Sequence, residues 1–217
     1  MDYAACRHSM VENQIRTNQV TDSLVIDAMD RVPREAFVPA NLKGVAYVDE
    51  DIPLDGGRYL MEPLVIARLL QAAEIKTDDV ILDVGCGVGY VSALMAQMAG
   101  VVVALEDDSG LAAEANKVLT DLGLDTVAVV EGPLRDGYVR QAPYDVIFFG
   151  GAVAQIPKGI IDQLAEGGRI VAIIAGDQGI GMGTLFLRAG GVVSSREVFN
   201  ASVPFLPGFE PIKEFTF

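Results

Sequence analysis

Asp83-Val84-Gly85-Cys86-Gly87-Val88-Gly89-Tyr90 follows directly on the apolar run Val80-Ile81-Leu82 and leads into Val91, Leu94, Met95 and Met98 at helical spacing. Short apolar run, glycine-rich bend and amphipathic stretch read together as strand, turn and helix. Glycines at alternate positions let the chain bend tightly and let backbone N–H groups approach a ligand without Cβ atoms in the way. Val101-Val102-Val103-Ala104-Leu105 is a second, β-branched strand, ended by Glu106. An acid about 20 residues beyond such a turn typically accepts hydrogen bonds from ribose hydroxyls. The combination predicts a nucleoside-containing cofactor.

The spacing narrows the choice. Dinucleotide sites carry G-x-G-x-x-G, whereas here the glycines run G-x-G-x-G and Asp83 precedes them. A carboxylate at that place repels a pyrophosphate but suits the ammonium of S-adenosylmethionine. No Gly-Lys-Ser/Thr follows, which excludes P-loop chemistry. The competing reading, a turn kept for packing alone, leaves the acid-ended strand without a purpose.

Composition sets the boundaries. The chain has 217 residues, 51% of them hydrophobic and 21% charged, which suits a globular core rather than a disordered chain. Its formal charge of −14 repels phosphate backbones and anionic headgroups, so neither nucleic acid nor a membrane is an expected partner. Two cysteines, Cys6 and Cys86, and the single His8 supply neither a disulfide framework nor a zinc-ligand set, so no metal is expected and a reducing cytoplasm fits. His8 reads as a surface or packing residue, and Cys86 as a small residue filling a tight turn. The uncharged stretch Val84–Leu105 has the length of a membrane span, but Asp83 and Glu106 flank it and three glycines break it.

Working outward, apolar strands are predicted at Val80–Val84, Val101–Glu106, Val127–Val130, Val146–Gly150 and Ile170–Ala175, with helices over 90–99, 110–122 and 157–165. Such alternation implies a mostly parallel α/β sheet. Thr184–Leu187 and Val192–Phe199, joined by Ala189-Gly190-Gly191, form an antiparallel hairpin. Upstream, Thr21 or Asp22 caps a helix whose buried stripe is Leu24, Val25, Ala28, Met29 and Val32. Residues 37–59 are loop-like, and another helix opens at Pro63. The expectation is one domain over 1–217, with a helical and loop cap over 1–60 and the cofactor-binding sheet and hairpin over 61–217.

Several further segments resemble the protein-L-isoaspartate O-methyltransferase family of S-adenosylmethionine-dependent enzymes. Met10-Val11-Glu12-Asn13-Gln14-Ile15 is similar to its N-terminal helix, and Arg31-Val32-Pro33-Arg34-Glu35-Ala36-Phe37-Val38-Pro39 to its "RVPR…FVP" segment. Tyr144-Asp145-Val146-Ile147 and Ile161–Arg169 resemble its later strands and the helix between them, and Val203-Pro204-Phe205 its Val-Pro pair near the substrate cleft. The likeness runs from about Met10 to Phe205. It implies a Rossmann-like methyltransferase fold that methylates the carboxylate of isomerised aspartates in damaged proteins. It further implies cofactor contacts from Asp83, Gly85, Cys86, Gly87, Gly89, Glu106, Asp107, Pro133 and Leu134, and substrate contacts from Leu60, Met61, Val203 and Pro204.

Two places depart from that family. Its Ile-Ser-x-Pro motif is here Leu60-Met61-Glu62-Pro63, so Met61 stands at the serine position and offers no hydroxyl. Glu62 either serves the start of the helix or faces solvent, or else it faces the cleft. In the cleft it would repel a carboxylate ~5 Å away by roughly 3 kcal/mol at a dielectric of ~20. The family's Gly-Asp-Gly, whose acid meets the adenine amine, is here Gly132-Pro133-Leu134, leaving backbone carbonyls or Asp136 to substitute. Beyond Phe205 the tail adds Phe209, Phe215 and Phe217, which cover the cleft or pack. Three functions follow as alternatives: isoaspartyl repair, the same scaffold with a changed acceptor, or a non-catalytic binding descendant.

Overall fold

The computed structural model describes residues 1–175 and 180–211. Six α-helices lie there: α1 (Tyr3–Met10), α2 (Ser23–Arg31), α3 (Pro63–Ala73), α4 (Tyr90–Ala96), α5 (Ser109–Asp121) and α6 (Lys158–Ile161). A wide π turn, Val11–Ile15, prolongs α1. Strands β1 (Ile52–Pro53) and β2 (Tyr59–Leu60) form a small antiparallel ladder. The main sheet contains β3 (Val80–Val84), β4 (Val101–Glu106), β5 (Val127–Glu131), β6 (Tyr144–Val153), β7 (Leu164–Ala175), β8 (Gly181–Ala189) and β9 (Val192–Ala201). Their order is β5-β4-β3-β6-β7-β8-β9.

Strands β3 to β7 pair in parallel, and β8 and β9 run antiparallel at one edge. This is the mixed α/β sheet with a C-terminal hairpin that the strand pattern predicts. Strand order reverses between β4-β3 and β6. In such sheets a ligand crevice opens at that switch point, beyond the carboxyl ends of the strands. Cap residues such as Ile15 and Phe37 share one apolar core with α3, α4, α5 and Ile81, Val102 and Val146 of the sheet. The opposite face buries Leu82, Leu105, Ile147 and Phe149 under Ile160, Leu206 and Phe209.

Several boundaries differ from expectation for identifiable reasons. Strands β6 and β7 outrun their apolar cores, since β7 begins at Leu164 and carries Glu166, Gly167, Gly168 and Arg169 within its pairing range. That strand consumes most of the helix expected over 157–165, leaving the four-residue α6 after Pro157. Asp22 caps α2 through bonds from the N–H groups of Leu24 and Val25, but Leu24 is exposed and Ile26 takes its place in the core. The hairpin turn shrinks to Gly190-Gly191, both at positive φ (61° and 75°). Glycine meets that requirement without strain. Phe209 packs edge-on against Phe149, with ring centroids 5.7 Å apart, while Phe215 and Phe217 lie outside the described residues.

Candidate functional site

The glycine bend sits where the strand order reverses. Gly85, Gly87 and Gly89 all adopt positive φ (78°, 56° and 87°), a region side-chain-bearing residues rarely enter. The N–H groups of Gly85 and Cys86 donate to the Leu105 carbonyl at 2.9 and 3.1 Å, which ties the bend to the end of β4. Gly150, in a bulged part of β6, closes the other side. A Cβ built there would fall 2.1 Å from the Gly85 oxygen, so only glycine allows that approach.

Two carboxylates flank the bend, as the sequence predicts. Asp83 is fully buried, and its Oδ2 accepts a 2.5 Å bond from the Ser92 hydroxyl on α4. Its Oδ1 is buried with no partner, beside the small space under the glycine bend. Burial pushes its pKa up to about 7, helped by Glu106 and opposed by Ser92 and Arg58. An orphaned acceptor at that place matches the chemistry of an ammonium group. Glu106 is also buried. Its Oε1 accepts from the N–H groups of Asp107 (3.0 Å) and Asp108 (3.2 Å), and its Oε2 from Gly87 N–H (2.7 Å). Burial raises its pKa, with Arg58 and backbone donors pulling against it.

Arg58 is the residue that sequence reasoning missed. Its Nη2 lies 2.7 Å from Glu106 Oε2, in a pair with exposures of 4% and 0%. Nη1 lies 3.9 Å from Asp107, which is otherwise half exposed. The loop between β1 and β2 delivers this side chain, held by Leu54 N–H to the Arg58 carbonyl (2.8 Å) and Arg58 N–H to the Asp55 carbonyl (3.2 Å). Leu206 arrives from the other side on a C-terminal strap. That strap is fixed by bonds between Leu206 N–H and the Ala152 carbonyl (2.8 Å) and between Ala152 N–H and the Pro204 carbonyl (2.9 Å). A Cβ added to Gly85 would lie 2.6 Å from Leu206 Cδ1 and 2.7 Å from Arg58 Nη2. The spaces left beside the bend are only ≈ 20 and ≈ 10 Å³. A cofactor-sized ligand needs about 300–1,000 Å³. The polar groups therefore suit an adenosyl cofactor, and the space they frame is filled by Arg58 and Leu206.

The remaining predicted residues divide. Leu60, Met61, Gly85, Cys86 and Gly87 line these small spaces, and Pro204 borders one of them. Gly89 supports the bend from below, against Leu119 and Ala115 of α5, and Val203 is buried in the main core. Gly132 N–H donates to the Glu106 carbonyl (3.0 Å), which brings Pro133 and Leu134 beside that strand end, with Pro133 exposed and Leu134 buried in the second core. Asp136 is exposed and borders neither of the small spaces beside the bend, while its backbone carbonyl accepts from Gln163 Nε2 at 2.7 Å. Burial, Asp83 and Glu106 raise the Cys86 thiol against the pull of Arg58. That environment keeps it a thiol rather than a nucleophile. His8 is exposed and lies 3.5 Å from Asp30.

Met61 is almost wholly buried. Its backbone carbonyl accepts a 2.8 Å bond from Arg34 Nη2, and Arg34 Nε donates to the Ala46 carbonyl at 2.7 Å. Glu62 stands at the start of α3 but makes no side-chain capping bond. The helix N-terminus is served instead by Asp51, which accepts from Glu62 N–H (2.8 Å), and by Asp49, which accepts from Leu64 N–H (3.3 Å). Glu62 is half-buried among Asp49, Glu50 and Asp51, and its pKa is pushed up to about 7, chiefly by burial. Its crowding comes from these neighbours.

Among the described residues, no group of three His, Cys, Asp or Glu side chains is placed to hold a metal ion, and no helix is long and apolar enough to cross a membrane. The family model for protein-L-isoaspartate(D-aspartate) O-methyltransferase matches residues 5–202. The chain is 40% identical over 166 residues to the protein-L-isoaspartate O-methyltransferase of Methanoculleus marisnigri, covering 76% of each chain. A solved protein-L-isoaspartate O-methyltransferase superposes with a TM-score of 0.82 at 24% identity, over 93% of this chain and 66% of that one. A Plasmodium falciparum structure in complex with S-adenosyl-L-homocysteine superposes at 0.75 and 20% identity, over 91% of this chain and 96% of that one. These two share its fold. By sequence, the chain belongs to the protein-L-isoaspartate(D-aspartate) O-methyltransferase family.

Proposed function

We propose that the chain is a protein carboxyl O-methyltransferase that uses S-adenosylmethionine to methylate the carboxylate of isomerised aspartates in proteins. The observation that carries this reading is the glycine bend with a buried acid on each side, one of them, Asp83, keeping an oxygen without a partner. Asp83 would hold the cofactor's ammonium, the Gly85–Gly89 bend would admit its backbone-facing side, and Glu106 would take the ribose hydroxyls. Bound there, the cofactor supplies an electrophilic methyl group on a sulfonium. An isoaspartyl carboxylate has a pKa near ~4 and is already an anion at pH 7, so the chain needs no general base. Its task is to align the carboxylate beside Leu60, Met61, Val203 and Pro204 and to exclude water there. We take the cap and the sheet to work as one unit in a reducing cytoplasm, where Cys6 and Cys86 stay free thiols.

Methyl transfer to an isoaspartyl peptide, with the matching aspartyl peptide as control, tests this reading. The isoaspartyl peptide alone should be labelled, and equal labelling of both or of neither removes the proposed acceptor. Met61→Ser restores a hydroxyl donor beside the acceptor site. One added hydrogen bond of about 1 kcal/mol predicts roughly a fivefold rise in turnover. Unchanged turnover at unchanged cofactor affinity would show that position 61 does not limit the reaction.

The raised pKa of Asp83 gives a pH signature. Its folded value, about 7, lies above the usual carboxylate range. Its protonation therefore stabilises the fold fully at low pH, and that contribution is lost as pH rises through 7. Binding an ammonium has the opposite sign, because it requires the ionised form. Calorimetric affinity for S-adenosyl-L-homocysteine should fall up to about tenfold per pH unit below 7 and level off above it. Asp83→Asn should bind weakly with a flat profile, and an unaltered profile in that variant would refute the assignment.

A further inference from the structure

Among the described residues, Arg58 is the only basic side chain bordering the small spaces around the glycine bend and Met61, in a chain whose formal charge is −14. Its guanidinium already makes the contact that ribose hydroxyls would make, donating to Glu106 Oε2 at 2.7 Å, and it lies over Gly85 together with Leu206. Both oxygens of Glu106 are therefore engaged, Oε1 by two backbone N–H groups and Oε2 by Gly87 and Arg58. A nucleoside cannot dock on that carboxylate until Arg58 leaves it. Once released, a guanidinium at this depth needs another anion. The space on its other flank is bordered by Met61 and Pro204, where an acceptor carboxylate is expected and no hydroxyl of residue 61 greets it.

We propose that Arg58 is an exchangeable counter-ion. It holds Glu106 and occludes the glycine bend in the free chain, and when the cofactor takes Glu106 it passes to the carboxylate of the acceptor. The proposal rests on the cofactor reading of the preceding subsection and adds an order to it, cofactor before acceptor. It makes Arg58 a specificity residue that supplies the charge where the serine position carries Met61. Removing its side chain has opposite effects on the two ligands. The closed form no longer competes with the cofactor, and a site open only about 1–10% of the time regains roughly 10- to 100-fold in apparent affinity. The acceptor, by contrast, loses its cation.

The test is calorimetric titration of the full chain with S-adenosyl-L-homocysteine, then with an isoaspartyl peptide at saturating S-adenosyl-L-homocysteine. Arg58→Ala should bind S-adenosyl-L-homocysteine at least tenfold more tightly than the parent and the peptide at least tenfold more weakly, and Arg58→Lys should recover part of the peptide affinity. Leu206→Ala, which clears the same bend without removing a charge, should also tighten S-adenosyl-L-homocysteine binding and serves if Arg58→Ala does not fold. Parental binding of S-adenosyl-L-homocysteine with no tightening in Arg58→Ala, or an unaltered peptide affinity in that variant, overturns the role of Arg58 alone. No heat from the parent or any variant at millimolar S-adenosyl-L-homocysteine overturns both this role and the cofactor reading.

Discussion

Glu106→Ala is expected to lower the unfolding free energy by about 3–5 kcal/mol and to abolish binding of S-adenosyl-L-homocysteine. The carboxylate is buried and collects one guanidinium and three backbone N–H groups, from Gly87, Asp107 and Asp108. Alanine leaves the Arg58 charge buried without a counter-ion and strips the three donors of their acceptor. Breaking one side of a buried pair is expensive because the surviving charge has been taken out of water and given nothing in return. Urea denaturation at pH 7, beside Asp121→Ala, checks this. The Lys117–Asp121 pair is similarly short, at 2.6 Å, but exposed, so the control should leave the midpoint in place. Equal midpoints for the two variants would mean that water reaches Glu106 freely.

Gly150→Ala should be nearly as damaging from a single methyl group. The new Cβ would lie 2.1 Å from the Gly85 oxygen and 3.1 Å from its carbonyl carbon, and both are main-chain atoms that cannot swing aside. Either β6 or the glycine bend must shift, at about 3 kcal/mol for forced overpacking, and a moved bend loses its cofactor affinity as well. Gly159→Ala is the matched control, since a Cβ there meets nothing within 4 Å and the residue lies in α6. That change should be neutral or stabilising by about 0.5–1 kcal/mol. Denaturation midpoints and titration with S-adenosyl-L-homocysteine distinguish the two, and a tolerant Gly150 would show that the bend has slack.

These two sites mark what the sequence discloses and what it hides. The strands Val80–Val84 and Val101–Glu106 are legible because the sheet is covered on both faces, which leaves the apolar runs Val80–Leu82 and Val101–Leu105 at their centres. Asp83, the glycines and Glu106 are legible because one local strand-turn-helix unit and its neighbour carry them. The longer reach of β6 and β7 is hidden, because pairing resumes at Ala152 and Val153 beyond the bulge at Gly150-Gly151, and begins at Leu164, ahead of the polar Glu166–Arg169 segment that precedes the apolar run. Arg58 is hidden for a different reason. It is 48 residues from Glu106, in a loop without periodicity, and nothing local says that its charge turns inward. The same holds for Leu206, whose position depends on backbone bonds to Ala152. Glu62 reads as a natural first-turn acid, yet the loop that supplies Asp49 and Asp51 has already filled that role.

The grip of Arg34 on position 61 bears on how such a site can diverge. Its guanidinium is fully buried, stacks 4.9 Å over the Tyr90 ring, and takes the main-chain oxygens of residues 46 and 61 rather than any side chain of theirs. Whatever residue 61 carries, the peptide beneath it stays anchored. Mutational drift can therefore exchange a polar group for a thioether there while the scaffold keeps its shape, so new chemistry can be explored at this spot without first risking collapse.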